Sequence, residues 1–261
     1  MVKLWDYNDA GECVVKNVRA LPQPLVHMLA NGPQYFAISD NYLRGFSGFD
    51  YTRMFGEFDG QNFPKNNGRF LWVRPAGEIP WLANNPFPSD DRTTKQSFEM
   101  GLGYARFSAT SKALGLAVEA TVFVPLKEMM EVWMVTVTNT SSKKQAIDFI
   151  PTVPIFGGNR AYTEYHRDVV RLYNTSRVTD HIEILPGLEW VEGKTEASDI
   201  CYFMAAETSK GKKGNRFYTD RESFLGADYS WMFPEAILKN QPPKMQCYGK
   251  EAVGAIEFKN I

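Results

Sequence analysis

Hydrophobic and polar residues alternate most regularly between Gln96 and Lys144. In Leu116–Val124, Leu116, Val118, Ala120, Val122 and Val124 fall on one face, and Ala117, Glu119, Thr121 and Phe123 on the other. This period of two fits a pleated strand and no helix. Val132–Asn139 repeats the pattern with β-branched residues on both faces. Asn139–Lys143 is a polar turn candidate before the next apolar run. Pro125 lies at the junction of the two runs, where a missing N–H does little harm. The stretch reads as consecutive antiparallel strands in the middle of a large β-domain.

On either side the pattern gives short strands and turn-rich connections. Lys3–Tyr7 and Glu12–Val18 pair across an Asn8–Gly11 turn. Pro22 and Pro24 forbid a regular central strand, and Asn31-Gly32-Pro33 is a strong turn. Tyr35–Ser39, Arg69–Arg74 and Ala146–Ile155 read as strands, the last broken at Pro151 and Pro154. Asp168–Ser176, Val178–Glu183, Leu188–Glu192, Cys201–Glu207 and Ala252–Phe258 are further strand candidates. Asp40–Met54 packs aromatics, Gly and two Arg together without a clear period. Residues 56–68 form a polar loop. Residues 79–95, with three prolines, predict a long irregular surface loop in which Trp81 and Phe87 pin the loop or cover a pocket. Residues 208–226 are turn-rich and basic, and Glu235–Leu238 is too short to assign. With no sustained helical stripe and no long repeat, the expectation is all-β with long loops and little helix. That favours a sandwich over a small closed barrel, propeller or solenoid.

Composition narrows the function. A chain of 261 residues suits one large β-domain or two ordinary ones, and 44% hydrophobic residues supply its core. The 14% aromatic content supplies flat apolar faces of the kind that stack on sugar rings. Lys and Arg number 29 against 30 Asp and Glu, without a basic block, which argues against nucleic acid and anionic membranes as partners. Cys13, Cys201 and Cys247 lack metal or disulfide spacing and read as free thiols in a reducing compartment. No apolar leader or span is visible, so a cytoplasmic location is expected.

Chemical signatures are few. Phosphate-binding, zinc-protease and serine-hydrolase motifs are missing, and His27, His166 and His181 are scattered without metal-ligand spacing. No metal and no cofactor is expected. TEYHRD (Thr163–Asp168) reads either as a ligand-contacting loop or as a polar loop in which Arg167 pairs locally. YLRGFSGFDYTR (Tyr42–Arg53) either presents Arg44, Phe46 and Phe49 to a sugar or packs aromatics beneath a loop. TDRESFLG (Thr219–Gly226) fits an Arg221 ion-pair network holding a loop. The two glycines of MGLGYARF (Met100–Phe107) mark a bulge or a close backbone approach.

Five segments, in order, carry a family likeness: GRFLWVR (Gly68–Arg74), FEMGLGYARF (Phe98–Phe107), VFVPLKEMMEVWMVTVTNTS (Val122–Ser142), TEYHR (Thr163–Arg167) and DRESFLG (Asp220–Gly226). They resemble the N-terminal domain of the family-94 glycoside phosphorylases, which include the cellobiose, cellodextrin, chitobiose and laminaribiose phosphorylases. The resemblance spans essentially the whole chain. It implies an antiparallel β super-sandwich, galactose-mutarotase-like, as a single domain over residues 1–261. In the family a helical linker and an (α/α)6 barrel follow, and the barrel holds the general-acid Asp and the phosphate site. Phosphate attacks the anomeric carbon with inversion and gives an α-sugar 1-phosphate, as in an inverting glycosidase with phosphate in place of the activated water.

The resemblance therefore implies a non-catalytic N-terminal domain whose catalytic barrel lies outside this chain. Its expected partners are a β-linked oligosaccharide, its own barrel or a separate catalytic chain, and a second subunit of a homodimer. Inorganic phosphate would be a co-substrate of the parent enzyme. The family's T-x-Y-x-R loop carries over to Thr163, Tyr165, His166 and Arg167, which would contact substrate, including in the neighbouring subunit's site. His166 stands where several relatives have Gln, and Met100 replaces the usual His before Gly101. Arg44, Phe46 and Phe49 match the family's Gly-rich aromatic loop only loosely. Two other readings compete: a stand-alone carbohydrate-binding module using Trp81, Phe46 and Tyr165 as platforms, and a purely structural dimerisation domain.

Overall fold

The computed structural model describes residues 3–32, 35–49, 53–56, 68–87, 92–159, 169, 171–185, 188–191, 194–197 and 200–261. In chain order the strands begin with β1 (Asp6–Tyr7), β2 (Cys13–Val15), β3 (Val26–Ala30), β4 (Phe36–Asp40), β5 (Ser47–Gly48), β6 (Arg53–Gly56), β7 (Phe70–Pro75) and β8 (Trp81–Leu82). The organising stretch supplies β9 (Lys95–Gly101), β10 (Tyr104–Ser111), β11 (Leu116–Phe123) and β12 (Val132–Asn139). Then come β13 (Ile147–Asn159), β14 (Thr175–Val178), β15 (Ile182–Leu185), β16 (Leu188–Val191), β17 (Lys194–Ala197), β18 (Cys201–Phe203), β19 (Arg216–Asp220) and β20 (Ala252–Glu257). Two short helices, α1 (Arg221–Leu225) and α2 (Glu235–Leu238), separate the last two strands.

The strands form a six-stranded antiparallel sheet in the order β1-β2-β9-β10-β11-β12 and a nine-stranded sheet in the order β19-β20-β13-β6-β5-β4-β3, with β7 and β8 branching from β13. A three-stranded sheet, β14-β15-β18, and a two-stranded ribbon, β16-β17, complete the fold. The meander from β9 to β12 is the alternating stretch of the sequence. β10 and β11 bury every second residue, and Phe107, Leu116, Val118, Ala120 and Val122 form one core with Leu71, Val73 and Trp81. β7 is buried on both faces. Leu71 and Val73 point into that core, while Phe70 and Trp72 point into a second one with Phe224, Leu225 and Trp231. Alternate side chains on opposite faces explain why β7 is apolar throughout. A third core, with Ile182, Ile184, Cys201, Cys247 and Ile256, lies under the small sheet.

Several sequence expectations need correction. β13 runs unbroken through Pro151 and Pro154. Its ladder with β7 ends at Thr152 and its ladder with β6 starts at Ile155, so Pro154 sits where one neighbour hands over to the next. Pro151 lies between the Phe149–Phe258 bridge and the Thr152–Ala255 pair. Both rings fall at gaps in a ladder, where a missing donor is tolerated. The 79–95 segment is not wholly a surface loop. Trp81, Ala83 and Asn84 are buried, and the Trp81 Nε1–H donates to Thr93 Oγ1 at 2.9 Å.

Further along, Asp168–Ser176 contains a 3-10 turn, Arg171–Tyr173, before β14, and Val178–Glu183 bends between β14 and β15. The 208–226 stretch holds β19 and α1. Asp220 caps α1 by accepting the Ser223 N–H at 2.8 Å. The expected Arg221 ion pair is present, with Glu251 at 2.5 Å. Gly103, at φ +90°, makes the tight β9–β10 turn, and a Cβ on Gly101 would lie 2.3 Å from the Tyr104 ring, so both glycines of MGLGY serve structure. Among the described residues no helix is long and apolar enough to cross a membrane.

Candidate functional site

A cleft of ≈ 2400 Å³ opens between β12 and the Cys201–Gly214 segment. Phe149, Pro151 and Val153 of β13 also line it. One end is built by the turn after β4. Asp40 Oδ1 accepts the N–H groups of Tyr42 and Arg44, both at 2.8 Å, which closes a tight loop. Two glycines then let three backbone segments converge. A Cβ on Gly45 would lie 1.9 Å from Ile38 O, and one on Gly68 would lie 2.4 Å from Gly45 N. No other residue fits at either position without moving the backbone.

The crossing places Arg69 at the cleft wall. Its guanidinium grips Glu131 with Nε at 3.0 Å and Nη2 at 2.5 Å, and Nη1 donates to Ile38 O and Leu43 O. Trp133 Nε1–H donates to the same carboxylate at 2.6 Å. Arg69 and Glu131 are only 1% and 14% exposed, so this is a nearly dry, two-pronged ion pair. Reasoning from sequence misses the trio because Arg69 lies 62 residues from Glu131 in the chain. The available signals are an Arg opening GRFLWVR and a Glu just ahead of the β12 run.

The expected site residues divide. Thr163, Tyr165, His166 and Arg167 lie outside the described residues. Phe46 and Phe49 line the cleft. The Phe49 ring packs edge-on against Tyr35 and Phe55, and Phe46 packs edge-on against Phe36. Arg44 turns into the interior and is fully buried, with its guanidinium carbon 3.8 Å from the Phe70 ring centre. Its Nη2 reaches Asn84 O at 3.4 Å, while Nε and Nη1 have no hydrogen-bond partner among the described residues. Burial pulls the Arg44 guanidinium down to about 9 and pushes the Asp40 carboxyl up to about 6. Arg44 is thus a buried cation at neutral pH, stacked on an aromatic face.

Two of the carboxylates that line the cleft are already engaged. Glu131 is held by Arg69. Hydrogen bonds from Ser209 and the Lys210 and Lys212 N–H groups pull Glu207 down to about 2, so it stays ionised. No group of three or more metal-ligating side chains exists among the described residues. His181 sits between Asp180, at 2.6 Å, and Glu183, at 3.0 Å, and its hydrogen bond to Asp180 raises its pKa. His27 bonds Gly101 O at 3.0 Å.

Comparison with known proteins agrees with this fold. Residues 11–259 match the model of the glycosyl hydrolase 94 supersandwich domain. The solabiose phosphorylase of Paenibacillus borealis is 25% identical over 204 residues, covering 74% of this chain. The match takes in 24% of that enzyme, so the chain spans about a quarter of the length of this relative. With nearly its whole length matched, the chain belongs to the glycosyl hydrolase 94 supersandwich domain family.

Proposed function

We propose that this chain is the non-catalytic N-terminal domain of an inverting phosphorylase. That enzyme would cleave β-linked disaccharides or oligosaccharides with inorganic phosphate and release an α-sugar 1-phosphate. The domain shapes the acceptor side of the active site through Thr163, Tyr165, His166 and Arg167, and contributes to a dimer interface. The observation that carries the reading is the family match over residues 11–259. It is supported by two cleft carboxylates that already have partners: Glu131 is held by Arg69 and Trp133, and hydrogen bonds from the Ser209–Lys212 segment keep Glu207 ionised.

The test is phosphorolysis by this chain alone. Purified protein is incubated with phosphate and cellobiose, laminaribiose, chitobiose or solabiose, the last because the relative carries its name. No sugar 1-phosphate should form, and its release would show that the catalytic groups lie within this chain. A carbohydrate-binding module is the second reading, favoured by Phe46 and Phe49 on the cleft wall. Calorimetric titration with the same sugars separates the two, since the phosphorylase-domain reading expects no heat from the isolated chain.

A further inference from the structure

Two strand edges face each other across the cleft. β12 pairs with β11 over eight consecutive positions and has no partner on its other side among the described residues. It carries none of the usual edge protections: the sequence VWMVTVTN has no Pro and no Lys, and its register has no bulge. β18 likewise pairs only with β15 among the described residues. Beyond it, Met204–Glu207 continues with alternating exposure but without a ladder. Trp133 and Phe203 reach towards each other between these edges, with ring centres 5.8 Å apart.

We infer that the cleft is a receptor for one extended polypeptide strand, which adds to β12 on one side and to β18 and Met204–Glu207 on the other. Insertion would join the six-stranded and three-stranded sheets into one continuous layer over the nine-stranded sheet. The side-chain chemistry of the guest follows from the walls. Trp133, Val135 and Val137 are the half-buried face of β12, so every second guest residue is apolar. The guest residue above the Trp133–Phe203 contact is small, because those rings already occupy the floor. Five lysines line the cleft against Glu128, Asp180 and Glu207, beside the paired Arg69 and Glu131, and this excess of positive charge favours acidic residues flanking the strand. The guest comes from outside this chain, from the larger part of a phosphorylase. That source rests on the function proposed above and on the three quarters of the relative's length left unmatched. The receptor itself rests on the two edges.

The experiment uses the full chain and a labelled nine-residue peptide, Glu-Thr-Val-Thr-Ala-Thr-Val-Thr-Glu. Its control has the same composition with the apolar residues contiguous. Fluorescence anisotropy measures binding, and hydrogen–deuterium exchange of the unmodified protein maps it. The alternating peptide should bind saturably, and amides in both Val132–Asn139 and Phe203–Glu207 should gain protection. Val135→Lys, on the cleft face, should weaken binding at least tenfold, while Thr138→Lys, exposed on the opposite face and outside the cleft lining, should leave it within about twofold. Thermal melts verify that both variants fold. No saturable binding at millimolar peptide, protection of a single edge, or equal binding of the control overturns the inference. So does concentration-dependent protection of β12 without peptide, because the occupant would then be a second copy. Phosphorolysis is measured separately, so its outcome leaves this one intact.

Discussion

At the scale of single residues, the molecule holds a buried carboxyl whose cost is open to titration. Asp40 has no solvent exposure, and only one of its carboxylate oxygens has hydrogen-bond partners. Burial pushes the carboxyl up to about 6, against the pull of the Tyr42 and Arg44 N–H groups and of the Arg44 and Arg69 cations. An unfolded Asp titrates near 4. Between about pH 4 and about pH 6 the folded chain therefore holds a proton that the unfolded chain has released. Stability from this group is full below about pH 4 and is lost as pH rises through about 6. The loss amounts to roughly 2–3 kcal/mol, the free energy that separates a carboxyl titrating near 6 from one titrating near 4. Asp40→Asn cannot titrate and can still accept both N–H bonds through Oδ1. Urea unfolding of both proteins across pH 4 to 7 isolates the effect from the other carboxylates. The wild-type advantage over Asp40→Asn should shrink through that window and stay flat above it. A constant difference would mean that Asp40 is not held in this dry setting.

At the scale of elements, the Arg69–Glu131 pair joins the start of β7 to the approach of β12. Removing one member of a nearly dry ion pair strands the other, which costs about 3–5 kcal/mol. Arg69→Met should therefore destabilise strongly, and Glu131→Gln should do so too. The double variant should recover part of the loss, because no orphaned charge remains. Denaturant midpoints of the four proteins form the cycle that tests this, and strictly additive losses would argue against direct coupling.

The same scale shows where sequence reasoning succeeds. β11 and β12 are legible because their two faces differ in burial, so the pattern alternates, whereas β9 and β10 of the same meander are not assigned from the sequence. β13 reads as broken because a proline's tolerance depends on which neighbour it faces, and that is a property of the ladder. Trp81 reads as part of a surface loop because the three prolines around it hide a core-filling strand. The Arg69–Glu131–Trp133 trio is invisible because Arg69 reaches the local Glu131–Trp133 pair only through the tertiary fold. Arg44 and Phe46 look alike in sequence, yet one stacks beneath the aromatic core and the other lines the cleft.

At the scale of the whole molecule, the three cysteines report on three parts of the fold. Cys13 lies in β2 of the six-stranded sheet, Cys201 in β18 of the three-stranded sheet, and Cys247 beside Ser176 of β14. All three are buried thiols outside any disulfide, and burial pushes Cys247 up to about 12 and raises Cys13. A thiol-specific reagent at pH 8 should thus find almost no fast-reacting thiol in the native chain and three after full unfolding, since the thiolate is the reactive form. The intermediate regime is more informative. The three-stranded sheet packs on the core with the fewest fully buried side chains among the described residues and borders the open cleft, which favours its local opening. In urea well below the main transition, labelling followed by peptide mapping should find Cys201 and Cys247 modified before Cys13. Ligation of the cleft by an added strand should slow those two and leave Cys13 unchanged. Modification of all three with one denaturant dependence would mean that the small sheet unfolds only with the rest, and that the cleft is no line of weakness.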